Sequence, residues 1–130
     1  MEDRFEKGME ILNITNKDKI EGIFDELEDI APDLGRFVVE FPYSELYTRK
    51  GLDLKIRELV TVAALTAMGN AEPQLKDHIN AALNVGNSPE EIIEVIMQMS
   101  AYGGFPSAIN GVMAAKKVFK KRGLLPLKKE

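Results

Sequence analysis

His78 is the single histidine of this 130-residue chain, and no cysteine accompanies it. An imidazole changes charge near neutral pH, so it can give and take protons or ligate a metal. A metal site is disfavoured, because no second histidine or thiolate exists to complete a ligand set. The missing cysteines also exclude disulfides and thiol redox chemistry. Proton transfer is what remains open to His78, beside the plain alternative of a boundary residue that packs its ring and hydrogen-bonds once.

Glu58 is the second candidate. It lies near the start of LKIRELVTVAALTAM (54–68), a helical stretch whose only polar interruptions beyond Leu59 are two threonines. At 100° per residue Glu58 shares a face with Leu54, Val62 and Leu65, which is no solvated face. A carboxylate placed there needs a partner or a proton. Three roles fit: a first-turn acid favoured by the helix dipole, one half of an internal ion pair, or a general acid or base. Arg57 is adjacent but points about 100° away.

The third group is AYGGFPSAIN (101–110). Its two glycines permit close backbone approach. Pro106 is expected to leave the amides of Ser107, Ala108 and Ile109 open at a helix start, where an anion can bind. Tyr102 could add a phenol donor. A tight helix–helix turn explains the same residues without a ligand.

The elements that must position these residues all read as helices, since no alternating strand run occurs. A first segment from Glu2 to about Ile14 puts Phe5, Met9 and Leu12 on one face, with Gly8 costing about 1 kcal/mol in its interior. A second, from about Asp18 to Ile30, carries Ile20, Ile23, Phe24, Leu27 and Ile30. Pro32 starts a third with the stripe Leu34, Phe37, Val38 and Phe41, which Pro42 should end or kink. A short helix or turn (43–54) leads to Asp53, an N-cap candidate for helix 54–68 that Gly69-Asn70 closes. Glu72-Pro73 opens the helix of His78, which Gly86 ends. Ser88-Pro89-Glu90-Glu91 is a capping box for a helix running to about Tyr102. Gly103-Gly104 breaks it, and Pro106 starts the last helix, to about Lys121. The expectation is an all-α single domain, 1–130, of six or seven helices. Consecutive helices with a short joint pack antiparallel. Glu58 and His78 are thereby expected at opposite ends of their hairpin, meeting only through a steep crossing, a bent joint or a neighbouring subunit.

With 17 basic and 21 acidic residues the net charge is −4, which argues against nucleic acid as a partner. The basic run KKVFKKR (116–122), followed by LPLKK, suits the end of the last helix and its tail. The N-terminal residues do not read as a secretory signal, and no run of 18 apolar residues exists to span a membrane. A cytoplasmic location is expected.

Residues 51–112 carry R-E-L followed by an apolar helix, then L-K-x-H, A-L-N-x-G-x-S-P-E-E-I-x-E-V and Y-x-G-F-P-x-A-x-N. In that order and spacing they resemble the carboxymuconolactone decarboxylase family, with a family core of about 43–121. The resemblance implies an alkylhydroperoxidase D-like all-α fold whose protomers form rings, often hexamers or trimers of dimers. It implies a cofactor-free lyase that decarboxylates a carboxylated unsaturated lactone. Glu58 and His78 match the family's glutamate and histidine. Under this reading His78 supplies a proton and Glu58 orients it, while Tyr102 or Ser107 holds a carboxylate or oxyanion and Arg49 and Arg57 are candidate carboxylate clamps. The family's peroxidase branch acts through a C-x-x-C pair whose positions here hold Ala71 and Gln74, so thiol peroxidase activity is disfavoured. Two alternatives remain: another small-acid or lactone enzyme on this scaffold, and a non-catalytic small-molecule-binding oligomer.

Overall fold

Every regular element of the computed structural model, which describes residues 3–128, is helical. Chain order is α1 (Arg4–Thr15), a 3-10 turn (Lys17–Lys19), α2 (Ile20–Leu27), α3 (Pro32–Val38), a π-helical segment (Val39–Leu46), α4 (Leu54–Met68), α5 (Glu72–Asn84), α6 (Pro89–Gln98), α7 (Ser100–Gly103) and α8 (Phe105–Lys121). Seven of these α-helices exceed a single turn. The all-α expectation therefore holds for the described residues. The expected start of the first segment at Glu2 and the end of the tail at Lys129 lie outside them. No described helix is long and apolar enough to cross a membrane.

Contacts divide the chain into two compact units, one ending at Leu54 and one starting at Lys55. The first is built on α1 against the π-helical segment. Its core is Leu12, Ile20, Val39 and Tyr43, with Phe5, Met9, Phe24 and Val38 packed around it. Asp3 caps α1 by accepting from the Phe5 amide at 2.7 Å.

Sequence periodicity misplaces several apolar side chains in this unit. Ile30 is exposed, because α2 ends at Leu27 and the amides of Ile30 and Ala31 turn back onto the Leu27 carbonyl. Leu34, Phe37 and Phe41 also face outward within the chain. The buried line is Gly35, Val39 and Tyr43, spaced by four. Two glycines select that face. Gly8 lets α1 approach the Val39 backbone, and Gly35 sits against the Phe24 ring. Pro42 does not end the helix; the α-helix has already widened into π geometry at Val39, and the Tyr47 amide reaches the Pro42 carbonyl at 2.8 Å.

The second unit is organised around α8, which packs on α5, α6 and α7. Its core joins Val62 of α4, Leu75, Ile79 and Ala82 of α5, Ile92 and Ile96 of α6, and Ala114, Ala115 and Phe119 of α8. The capping box of α6 forms as expected: the Glu91 amide donates to Ser88 Oγ at 3.0 Å, and the Ser88 amide donates to Glu91 Oε1 at 2.9 Å. These bonds hold the Glu91 carboxyl below its ordinary range.

Two helical glycines of the first unit should respond to alanine with opposite signs. At Gly8 a Cβ would press on the Val39 carbonyl oxygen and come within 2.7 Å of Val39 Cγ1. Gly8→Ala should therefore destabilise by about 1–3 kcal/mol. Gly22 of α2 has nothing within 4 Å, so Gly22→Ala should stabilise by up to about 1 kcal/mol. Urea unfolding of both variants checks this, and a Gly8→Ala protein as stable as the parent would contradict the packing described.

Candidate functional site

α4 begins and ends where its sequence predicts, but it is not buried all round. Glu58, Val62 and Thr66, spaced by four, form its buried line, while Ile56, Val60, Ala64 and Met68 are exposed on the opposite side. The two threonines make no polar face. Thr66 Oγ1 donates to the Val62 carbonyl at 2.7 Å and Thr61 Oγ1 to the Arg57 carbonyl at 2.9 Å, each returning to its own helix. Glu58 is thus the one ionisable side chain on an apolar line, and its exposure is 0%.

The turn at Gly69, whose φ of 75° favours glycine, returns the chain into α5. There Leu75, Ile79 and Ala82 are buried and His78 lies at the edge, its side chain 17% exposed. His78 Nδ1 lies 2.7 Å from Glu58 Oε1. The pair meets inside one chain, so of the routes left open by hairpin packing no neighbouring subunit is needed for the contact. Glu58 lies ten residues before the end of α4 and His78 six after the start of α5. The offset is four residues, about 6 Å of helix rise, a gap that two long side chains bridge.

An ionised carboxylate can only accept, so a bond of this length to Glu58 as carboxylate has Nδ1 as its donor. A carboxylate holding one ring nitrogen in this way fixes the orientation of the imidazole. Glu58 Oε2 is buried with no hydrogen-bond partner among the described residues. The pair is therefore asymmetric: one oxygen fixes the ring, and the other retains capacity to accept.

The remaining predicted residues are placed as follows. Ser107 lines a cleft with Leu65, Thr66, Gly69, Ala71, Glu72, Leu75, Asn110 and Gly111, a lining that includes neither Glu58 nor His78. Glu72 at its rim is bonded to Lys117 Nζ at 2.8 Å, and the lysine holds its carboxyl below the ordinary range. At the start of α8 the expected open amides are fewer than supposed, because the Ala108 amide donates to the Gly104 carbonyl. Tyr102 is 79% exposed. Arg57 is half-buried on α4, and Arg49 belongs to the turn after the π-helical segment, in the first unit. Among the described residues no cluster of three or more His, Asp or Glu could hold a metal ion.

The sequence reading does not single out Asn87, which is buried (4% exposed) with its amide nitrogen bonded to carbonyls of both α4 and α5. A signal was available. Two residues past a helix that ends on glycine, an apolar side chain commonly packs back on the last turn, and V-G-N-S-P has a polar one there.

A family model described as the carboxymuconolactone decarboxylase family matches residues 32–117. The chain is 32% identical over 128 residues to a 4-carboxymuconolactone decarboxylase of Acinetobacter baylyi, covering 98% of this chain and 95% of that protein. It is 36% identical over 94 residues to an uncharacterised 15.0 kDa protein of Paracoccus denitrificans, covering 72% and 70%. It is 30% identical over 80 residues to a nitrosuccinic acid decarboxylase of Metarhizium robertsii, covering 62% and 55%.

The buried pair makes a stability prediction that holds whatever the reaction. His78→Ala leaves the Glu58 carboxylate buried without its partner and should cost about 3 kcal/mol. Adding Glu58→Leu removes the stranded charge and should recover part of that loss. Urea denaturation of the single and double variants measures both effects, and a single variant within 1 kcal/mol of the parent by that measure would mean that the carboxylate is not stranded.

Proposed function

Because the chain belongs to the carboxymuconolactone decarboxylase family, we propose that it is a cofactor-free carboxy-lyase acting on a small carboxylated substrate, with a carboxylated unsaturated lactone as the leading candidate. The observation that carries this reading is the 2.7 Å bond between His78 Nδ1 and the wholly buried carboxylate of Glu58. Loss of CO₂ from carbon adjoining an unsaturated lactone leaves its electron pair delocalised toward the lactone carbonyl. The step is completed when a carbon of that delocalised system takes a proton. With Nδ1 engaged by Glu58, the protonated ring delivers the proton from Nε2, becomes neutral, and is reprotonated from solvent. Glu58 stabilises the charged ring and fixes its orientation. No electron acceptor is needed, and a thiol route is closed because the chain has no cysteine.

Tyr102, Ser107, Arg49 and Arg57 are the residues proposed to meet the substrate's carboxylates or the developing oxyanion. Self-association is part of this reading. In the second unit Ile56, Val60 and Met68 of α4 and Phe105, Ile109 and Met113 of α8 are exposed, more large apolar surface than an isolated protomer usually leaves open. A homohexamer or trimer would cover it, and with it the exposed Tyr102.

A second reading has its own support. One similar protein is named for a different acid, nitrosuccinic acid, so the same pair could serve another acid that loses CO₂ beside an electron-withdrawing group. A single assay addresses both. CO₂ release is measured on carboxymuconolactone and on nitrosuccinate with the parent, His78→Gln and Glu58→Gln, each checked for retained helicity. The parent should turn over one of them, His78→Gln should lose at least about 100-fold and Glu58→Gln about 10-fold or more. A folded, assembled parent inactive on both would sink the lyase reading. Three equally active proteins would remove Glu58 and His78 from the site.

A further inference from the structure

We infer that Asn87 is a positioning residue for the Glu58–His78 pair, an amide brace that sets the spacing of α4 and α5 at the level where the pair meets. The inference rests on the reading of that pair as the reacting groups.

Asn87 reaches its place through the end of α5. The helix closes with Gly86 at a φ of 104°, the Gly86 amide donating to the Leu83 carbonyl at 3.1 Å and the Asn87 amide to the Ala82 carbonyl at 3.0 Å. This is the paired closure that a left-handed glycine makes possible at a helix C-terminus. It folds Asn87 under the last turn of α5, facing the first turn of α4. Its side-chain NH₂ has two donors, and Nδ2 lies 3.0 Å from the Lys55 carbonyl and 3.1 Å from that of Ala82. One side chain therefore joins the two helices.

The carbonyls it joins are those next to the pair. Lys55 is three residues before Glu58, and Ala82 four residues after His78. Each is one turn away along the same side of its helix. The brace and the Glu58–His78 bond form two adjacent rungs between α4 and α5.

Stability alone does not account for an asparagine here. Its Oδ1 is buried with no hydrogen-bond partner among the described residues, a cost that an apolar side chain of similar size would avoid. What Asn87 adds over leucine is the fixed distance between two carbonyls, and hence between Oε1 and Nδ1. A shift of about 1 Å in such a spacing can cost about 100-fold in rate.

The test uses the full chain with Asn87→Leu and Asn87→Ala, and with Ser88→Ala as a control that removes the neighbouring cap of α6 without touching either carbonyl. Two readouts are taken: the Nδ1 proton resonance of the lone histidine, and kcat and KM for CO₂ release. The Asn87 variants should keep the parent's helicity, lose or broaden the Nδ1 resonance, and drop kcat by about 10- to 100-fold with little change in KM. Ser88→Ala should lower the melting temperature yet leave resonance and kcat as in the parent. An Asn87→Leu protein with the parent's resonance and kcat overturns the inference. So does failure of both Asn87 variants to fold, since Asn87 would then serve the fold rather than the pair. If the parent shows no turnover, the lyase reading fails separately, and the resonance still decides whether Asn87 sets the pair's geometry.

Discussion

A carboxylate on an apolar helix line cannot be left alone, and this constraint organises the second unit. Glu58 sits on α4 in line with Val62 and Thr66, fully buried. Unpaired, such a charge would cost several kcal/mol. His78 answers it from α5 at 2.7 Å, and for that bond to form the two helices must lie at a set spacing and a set offset. The turn at Gly69, the position of His78 midway along α5 and the closure at Gly86 all contribute to that offset.

The same bond gives the imidazole its direction. A free histidine exchanges its proton between two nitrogens, whereas one tied to a carboxylate keeps it on the tied side. Glu58 is wholly buried, whereas the His78 side chain keeps some exposure at the edge of α5. Family membership makes decarboxylation the natural reading, and the absence of cysteine closes the route through thiols. Both lines are what the proposal of proton transfer through His78 rests on.

Much of this was legible in the sequence, and the exceptions share a cause. The limits of α4 and the capping box at Ser88–Glu91 are local signals and appear where the residues say. Glu58 and His78 stood out by type: a carboxylate without a polar face and a histidine without company. Their contact was not legible, because hairpin reasoning fixes direction but not whether side chains four residues out of level can reach each other, as these do. The outward Leu34, Phe37 and Phe41 were missed for a similar reason. Periodicity finds an apolar face, but Gly8 and Gly35 decide which face a neighbour can approach. Asn87 escaped notice because its importance lies in two backbone carbonyls distant in sequence, to which side-chain patterns are blind.

The central claim is that Glu58 fixes the proton of His78 on Nδ1. Because the chain has one histidine, its imidazole nitrogens can be read without assignment in a ¹⁵N spectrum of the histidine-labelled protein at a pH where the ring is neutral. A protonated, pyrrole-like Nδ1 and a pyridine-like Nε2 are predicted, with that preference lost in Glu58→Leu. A ring protonated on Nε2, or a pattern that Glu58→Leu leaves unchanged, would contradict the account.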